Sequence, residues 1–138
     1  MIRYRVFDHT ADLGIQVFGR TVEEIFVNGA HALFHLIADL DQVQLTEERI
    51  ITAAGTDRNE LWVNYLRECL YVFNGDGLLM RECVILSLDQ SHVTARLRGE
   101  VLDHSRRQIK QEIKAVTYYQ ASVKKTKRGW TGKVICDV

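Results

Sequence analysis

The chain predicts a single α+β domain in which two helices pack on antiparallel or mixed β-sheet. Three observations carry that reading. Two stretches, 21–38 and 57–74, repeat apolar residues at helical spacing behind a capping residue. The segments after the second helix alternate apolar and polar residues as half-buried strands do. No proline, low-complexity tract or Gly/Ser linker divides the 138 residues, so residues 1–138 read as one unit. The order β-β-α-β-α followed by a run of strands indicates α+β rather than an alternating α/β fold.

The elements follow in order. Arg3 to Phe7 predicts a strand entering the segment Asp8-His9-Thr10-Ala11-Asp12-Leu13-Gly14. Ile15 to Phe18 predicts a strand leaving it, with a turn at Gly19. Thr21 with Glu24 three residues on forms a capping-box pattern, and Val22, Ile25, Phe26, Gly29, Leu33, Leu36 and Ile37 then share one helical face. Glycine inside that stripe costs about 1 kcal/mol of helix propensity relative to alanine, which points to a close approach by a sheet. Arg49 to Ala53 is β-branched enough for a strand.

Asp57 and Glu60 open the second helix, whose apolar face is Leu61, Trp62, Tyr65, Leu66, Cys69, Val72 and Phe73. It should stop at Asn74-Gly75-Asp76-Gly77. Trp62 and Tyr65, lying in that stripe, read as core. Val93 to Val101 alternates strictly and should pair with Cys83 to Leu88. Ile113 to Tyr119, Gln120 to Lys124 and Trp130 to Asp137 supply further strand, with Lys127-Arg128-Gly129 as a hairpin turn.

Composition narrows the class. Forty-six per cent hydrophobic and 26% charged residues exclude a disordered chain. No apolar run approaches the ~20 residues that span a bilayer, and no basic-then-apolar leader precedes Arg3. A soluble cytoplasmic protein with no membrane partner is the expectation. Cys69, Cys83 and Cys136 form neither an even set nor a CxxC pair, so reduced, buried thiols are expected.

Net charge is zero but uneven. Residues 1–60 carry 5 Lys or Arg against 10 Asp or Glu, whereas residues 61–138 carry 13 against 8. Lys124, Lys125, Lys127 and Arg128 belong to the basic stretch, which could meet RNA or an acidic partner, or could protect hairpin edges against strand pairing.

The chemistry concentrates in carboxylates. Asp12 precedes a small-residue turn at a strand end, Asp137 ends the last strand, and Val138 adds a terminal carboxylate. Oxygen donors without a thiolate or second imidazole suit a hard divalent cation: Ca²⁺ first, with Mg²⁺ or Mn²⁺ as alternatives. Asp8 and His9 are candidates to orient a ligand or water from behind, and His9 could equally be a core histidine bonded to a carbonyl. His31 and His35 have i, i+4 spacing but lack the HExxH glutamate, Ala32 standing at its place, and are expected on a solvated helix face. No P-loop and no Ser-His-Asp or Cys-His order stands out.

Three segments resemble the archease family: Asp8 to Gly14, Glu112-Ile113-Lys114-Ala115-Val116-Thr117-Tyr118, and Val134-Ile135-Cys136-Asp137-Val138. They span the whole chain in the family's order. One departure is Tyr119, where the family usually has histidine. The resemblance implies two intertwined β-plus-helix units, and metal coordination by Asp12, Asp137 and Val138. It further implies an activating cofactor, not itself an enzyme, of an RtcB-type RNA-splicing ligase, promoting GTP-dependent guanylylation and multiple turnover in tRNA splicing or RNA repair. RNA would then be met through the ligase complex. Two other classes remain open, a chaperone-like interaction module and a stand-alone metal-dependent phosphohydrolase.

Overall fold

The computed structural model describes residues 4–9, 12–102 and 109–138; the side chains of Asp8 and His9 lie outside that description. The strands are β1 (Tyr4–His9), β2 (Asp12–Gly19), β3 (Glu47–Ala54), β4 (Leu78–Leu88), β5 (His92–Val101), β6 (Ala115–Thr126) and β7 (Gly129–Asp137). The helices are α1 (Val22–Ile37) and α2 (Arg58–Tyr71), the latter running into a π-helical turn at Val72–Asp76. A four-stranded sheet has the order β1-β2-β7-β6 and a three-stranded sheet the order β3-β5-β4. Every strand pair among the described residues is antiparallel. The fold is therefore α+β, as expected, with antiparallel rather than mixed pairing.

Each helix follows a strand of one sheet and packs against both. α1 leaves β2 and lies on β2 and β4; α2 leaves β3 and lies on β3 and β6. That crossing-over interlocks the two β-plus-helix units, because neither sheet can bury its inner face without the helix that the other unit shares. The Thr21 Oγ1 accepts from the Glu24 N–H at 3.1 Å and the Asp57 Oδ1 accepts from the Glu60 N–H at 2.8 Å, so both helices begin where their capping residues sit.

The core is built around α2. Trp62 and Tyr65 are fully buried, and each polar tip has a partner: Trp62 Nε1 donates to the Lys133 carbonyl at 3.1 Å and Tyr65 Oη donates to the Phe26 carbonyl at 2.8 Å. That satisfies the polar atoms which burial would otherwise penalise by about 1–3 kcal/mol each. Tyr65 Oη also lies 3.4 Å from Cys83 Sγ. Burial pushes the Cys83 thiol up to about 11 and holds Cys69 well above its ordinary value. All three cysteines are free and buried.

Several boundaries differ from expectation for identifiable reasons. β4 begins at Leu78 rather than Cys83, because Leu78, Leu79 and Met80 are buried in an unbroken apolar run that shows no alternation. The two pieces expected over 113–124 are one strand, β6, interrupted by a register shift between Thr117 and Ser122 where Gln120 takes φ 56°. α2 stops three residues early and completes its end as the π turn, with Gly77 at φ 75° closing it. Gly29 is approached by the Trp62 ring of α2 rather than by a sheet. His31 and His35 are half-buried, not solvated: His35 meets the Tyr4 ring edge-on at 6.4 Å, and burial, with the nearby His35, lowers the His31 imidazole to about 4.

Candidate functional site

β2 and β7 form the axis on which the candidate residues lie. Their antiparallel ladder runs from Leu13↔Cys136 to Gly19↔Trp130. Extended by one rung, the same register sets Asp12 opposite Asp137, with both Cβ atoms on the face shared by Gly14 and Ile135. Residues 125 apart in sequence thus close one end of the sheet. β6 completes that end: Ala115 pairs with Asp137, and the Lys114 N–H donates to the Asp137 carbonyl at 2.8 Å. Val138, the next residue, packs its half-buried side chain on the core.

The rungs behind the carboxylates are apolar. Ile135 is buried, and the Phe7 ring lies over Gly14, where no side chain stands in its way. The Lys133 ammonium sits 4.9 Å from the centre of that ring. Such a contact contributes about 0.5–1 kcal/mol at an exposed site. Cys136, on the opposite face, is pushed up to about 12, first by burial and then by the negative charge of Asp12. The Asp12 carboxylate therefore makes itself felt through the end of the sheet.

The backbone register sets His9 opposite Asp12 and Asp8 opposite Leu13; the roles expected of their side chains lie outside the described residues. Among the described residues no group of three or more His, Cys, Asp or Glu side chains is placed to hold a metal ion. What this end offers is two side-chain carboxylates, Asp12 and Asp137, beside the main-chain oxygens of Val138. That all-oxygen set fits a hard cation completed by water and does not fit Zn²⁺.

The register keeps the four basic residues at one end of the β6–β7 hairpin, since Lys124 pairs with Thr131 and Lys125 with Trp130 beside the Lys127–Arg128 turn. Lys124 and Lys125 are exposed on β6, an outer strand of its sheet, while Lys127 and Arg128 form the turn into β7 at the far end of the ladder. There they border a cleft that also takes Phe18, Arg20 and Trp130. Those three carry no local motif; only the rung pairing Gly19 with Trp130 brings them to the turn.

The chain matches the Archease protein family (MTH1598/TM1083) over residues 4–138. It belongs to the archease family. Among its relatives is an archease of Methanosarcina barkeri, 36% identical, with 99% of this chain and 96% of that protein covered. An archease of Pyrococcus abyssi is 33% identical with both chains fully covered. The solution structure of Methanobacterium thermoautotrophicum protein 1598 superposes with a TM-score of 0.85 at 29% identity over the whole of both chains. Archease membership suggests a non-catalytic accessory protein in RNA processing. No helix of the described residues is long and apolar enough to cross a membrane.

Proposed function

We propose that the protein is a metal-binding cofactor of an RtcB-type RNA-splicing ligase, promoting GTP-dependent guanylylation of the ligase and its multiple turnover in tRNA splicing or RNA repair. Archease membership over residues 4–138 supports the class of function. The observation that supports the site is the ladder register, whose continuation by one rung beyond Leu13↔Cys136 would set Asp12 opposite Asp137, next to Val138 in sequence. Two carboxylates on adjacent strands repel each other, and a divalent cation offsets that repulsion. Ca²⁺ is the expected ion, with Mg²⁺ and Mn²⁺ as alternatives; bound there, it would supply a charge and open coordination positions for a partner's phosphate or carboxylate oxygens.

This chain's own residues hold and aim that end. β6 and β7 brace Asp137 through the Lys114 N–H, and the Phe7–Ile135 floor keeps one side of the carboxylates dry. Asp8 and His9 are the candidates to orient the ligands from behind. A cytoplasmic location accords with three reduced, buried thiols. Lys124, Lys125, Lys127 and Arg128 are the candidates for contact with the ligase or its RNA.

The test is guanylylation of the cognate ligase with GTP and Mn²⁺, with and without this protein. The added protein should raise the rate of guanylylated-ligase formation, and Asp12→Ala or Asp137→Ala should abolish the gain. A ligase that is guanylylated and turns over equally well with wild-type, variant or no added protein would refute the cofactor reading. Phosphoester hydrolysis by the purified protein alone would instead establish a metal-dependent phosphohydrolase.

A further inference from the structure

A cleft of about 870 Å³ lies at the end of the β2–β7 ladder away from the carboxylates. It wraps the end of the sheet. Phe18 shares its face with Thr131, whereas Trp130 lies on the opposite face with Gly132, so aromatic groups reach the cleft from both sides. Phe18 and Arg20 are exposed, as are Lys127 and Arg128.

The cations here are uncommitted. None of Arg20, Lys127 and Arg128 has a salt-bridge partner among the described residues, and the single acidic residue on the wall is Glu24. Behind the cleft, the Arg58 guanidinium stands 5.3 Å from the centre of the Trp130 ring, and its buried Nε has no hydrogen-bond partner. A positive charge is thus held against one aromatic while three more border the opening.

We propose that this cleft binds single-stranded nucleic acid, with separate bases against Trp130 and Phe18 and backbone phosphates at Arg20 and the Lys127–Arg128 turn. Free phosphate would use the cations but not the aromatics. An acidic protein surface would likewise leave the indole unexplained. Bases stacked on aromatic side chains with phosphates on flanking cations use both, and a duplex hides the base faces that such stacking needs. The volume suits one or two nucleotides. Seven residue steps of extended β7 lead from Trp130 to Asp137, roughly 23 Å, so this cleft and the carboxylate end are distinct sites. The proposal rests on the cleft alone and not on the ligase reading, so each can fail without the other.

The chain's two tryptophans make the test specific. Trp62 is fully buried with its Nε1 bonded to a carbonyl, so quenching on addition of a ligand reports on Trp130. The full chain is titrated with a ten-nucleotide RNA, with the same sequence as a duplex, with inorganic phosphate and with heparin. The single strand should quench saturably, with a log–log salt slope near about −2 for three phosphate contacts. By anisotropy of labelled RNA, Trp130→Ala and Lys127→Glu/Arg128→Glu should each weaken binding about tenfold or more. Trp130→Phe should retain binding, which separates loss of stacking from loss of fold. Equal affinity for duplex or heparin, or binding without quenching, would overturn the proposal. So would a loss caused by Lys124→Glu/Lys125→Glu with the Lys127 and Arg128 variant unaffected.

Discussion

The two ends of one ladder carry opposite chemistry. One, beyond the Leu13–Cys136 rung, carries Asp12 and Asp137; at the other, Gly19 and Trp130 meet beside Arg20, Lys127 and Arg128. Both ends are made from the same two strands, so neither secondary structure nor overall charge distinguishes them. Antiparallel pairing does: it joins the start of β2 to the end of β7 and the end of β2 to the start of β7. Asp12 comes from the acidic part of the sequence and Asp137 from the basic part, yet they fall at one end of the ladder. The charge map that a partner meets is therefore drawn by register, not by sequence segment.

The largest expected effect comes from breaking the middle of the ladder, which should damage both ends at once. Gly132 faces the helices, and a Cβ there would stand 2.7 Å from Ile25 Cγ2 and 3.1 Å from both Trp62 and Val17. Gly132→Val should cost about 1–3 kcal/mol of overpacking and lower Tm by roughly 5–10 °C. Thermal melts and both binding titrations check this. Loss at one end alone would show that the ends are not coupled through β7.

A smaller and one-sided effect is expected from Asp12→Ala. It removes one donor, so divalent-metal affinity should fall at least about tenfold while the domain still folds. Calorimetry with Ca²⁺ and Mn²⁺ against a chelated control measures both. Unchanged affinity would take Asp12 out of the metal site. Quenching of Trp130 by RNA should be indifferent to this change, and a parallel loss would mean that the substitution disturbs the whole sheet.

The contrast between the ends also shows what was readable before the structure. The helices were: Thr21 and Asp57 cap where their spacing says, and Leu33, Leu66 and Cys69 are buried as the stripes require. Local patterns encode local structure. The carboxylate end was reached from its motif residues, since Asp12 and Asp137 lie in short recognisable segments. The cleft was not, because Phe18, Arg20 and Trp130 gain meaning only from the rung that joins them. Counting charges along the chain grouped Lys124 and Lys125 with Lys127 and Arg128, but only the register shows that Lys125 stands opposite Trp130. The bulge at Gln120 escaped for a similar reason: its positive φ serves the pairing of β6 on β7 and has no glycine to announce it.

The smallest effect concerns α1, which lies under β2 between the two ends and carries His31 half-buried. Burial, with the charge of His35 second, lowers His31 from 6.5 to about 4 in the folded chain. Above pH 6.5 the imidazole is neutral whether folded or unfolded, and its contribution to stability is fully present. As pH falls below 6.5 the unfolded chain takes up a proton that the folded chain refuses, so stability drops until the folded imidazole itself protonates near pH 4. Melts between pH 7.5 and 4, run with chelator so that no metal bound at the carboxylates contributes, should show this acid limb. His31→Gln should flatten the part between pH 6.5 and about 4, leaving the steeper fall that protonated carboxylates produce at lower pH. If the variant loses stability over that window as steeply as the wild type, His31 is not the group that refuses the proton. The acid sensitivity would then belong to the carboxylate end, and metal added back at pH 5.5 should rescue the wild type and not Asp12→Ala.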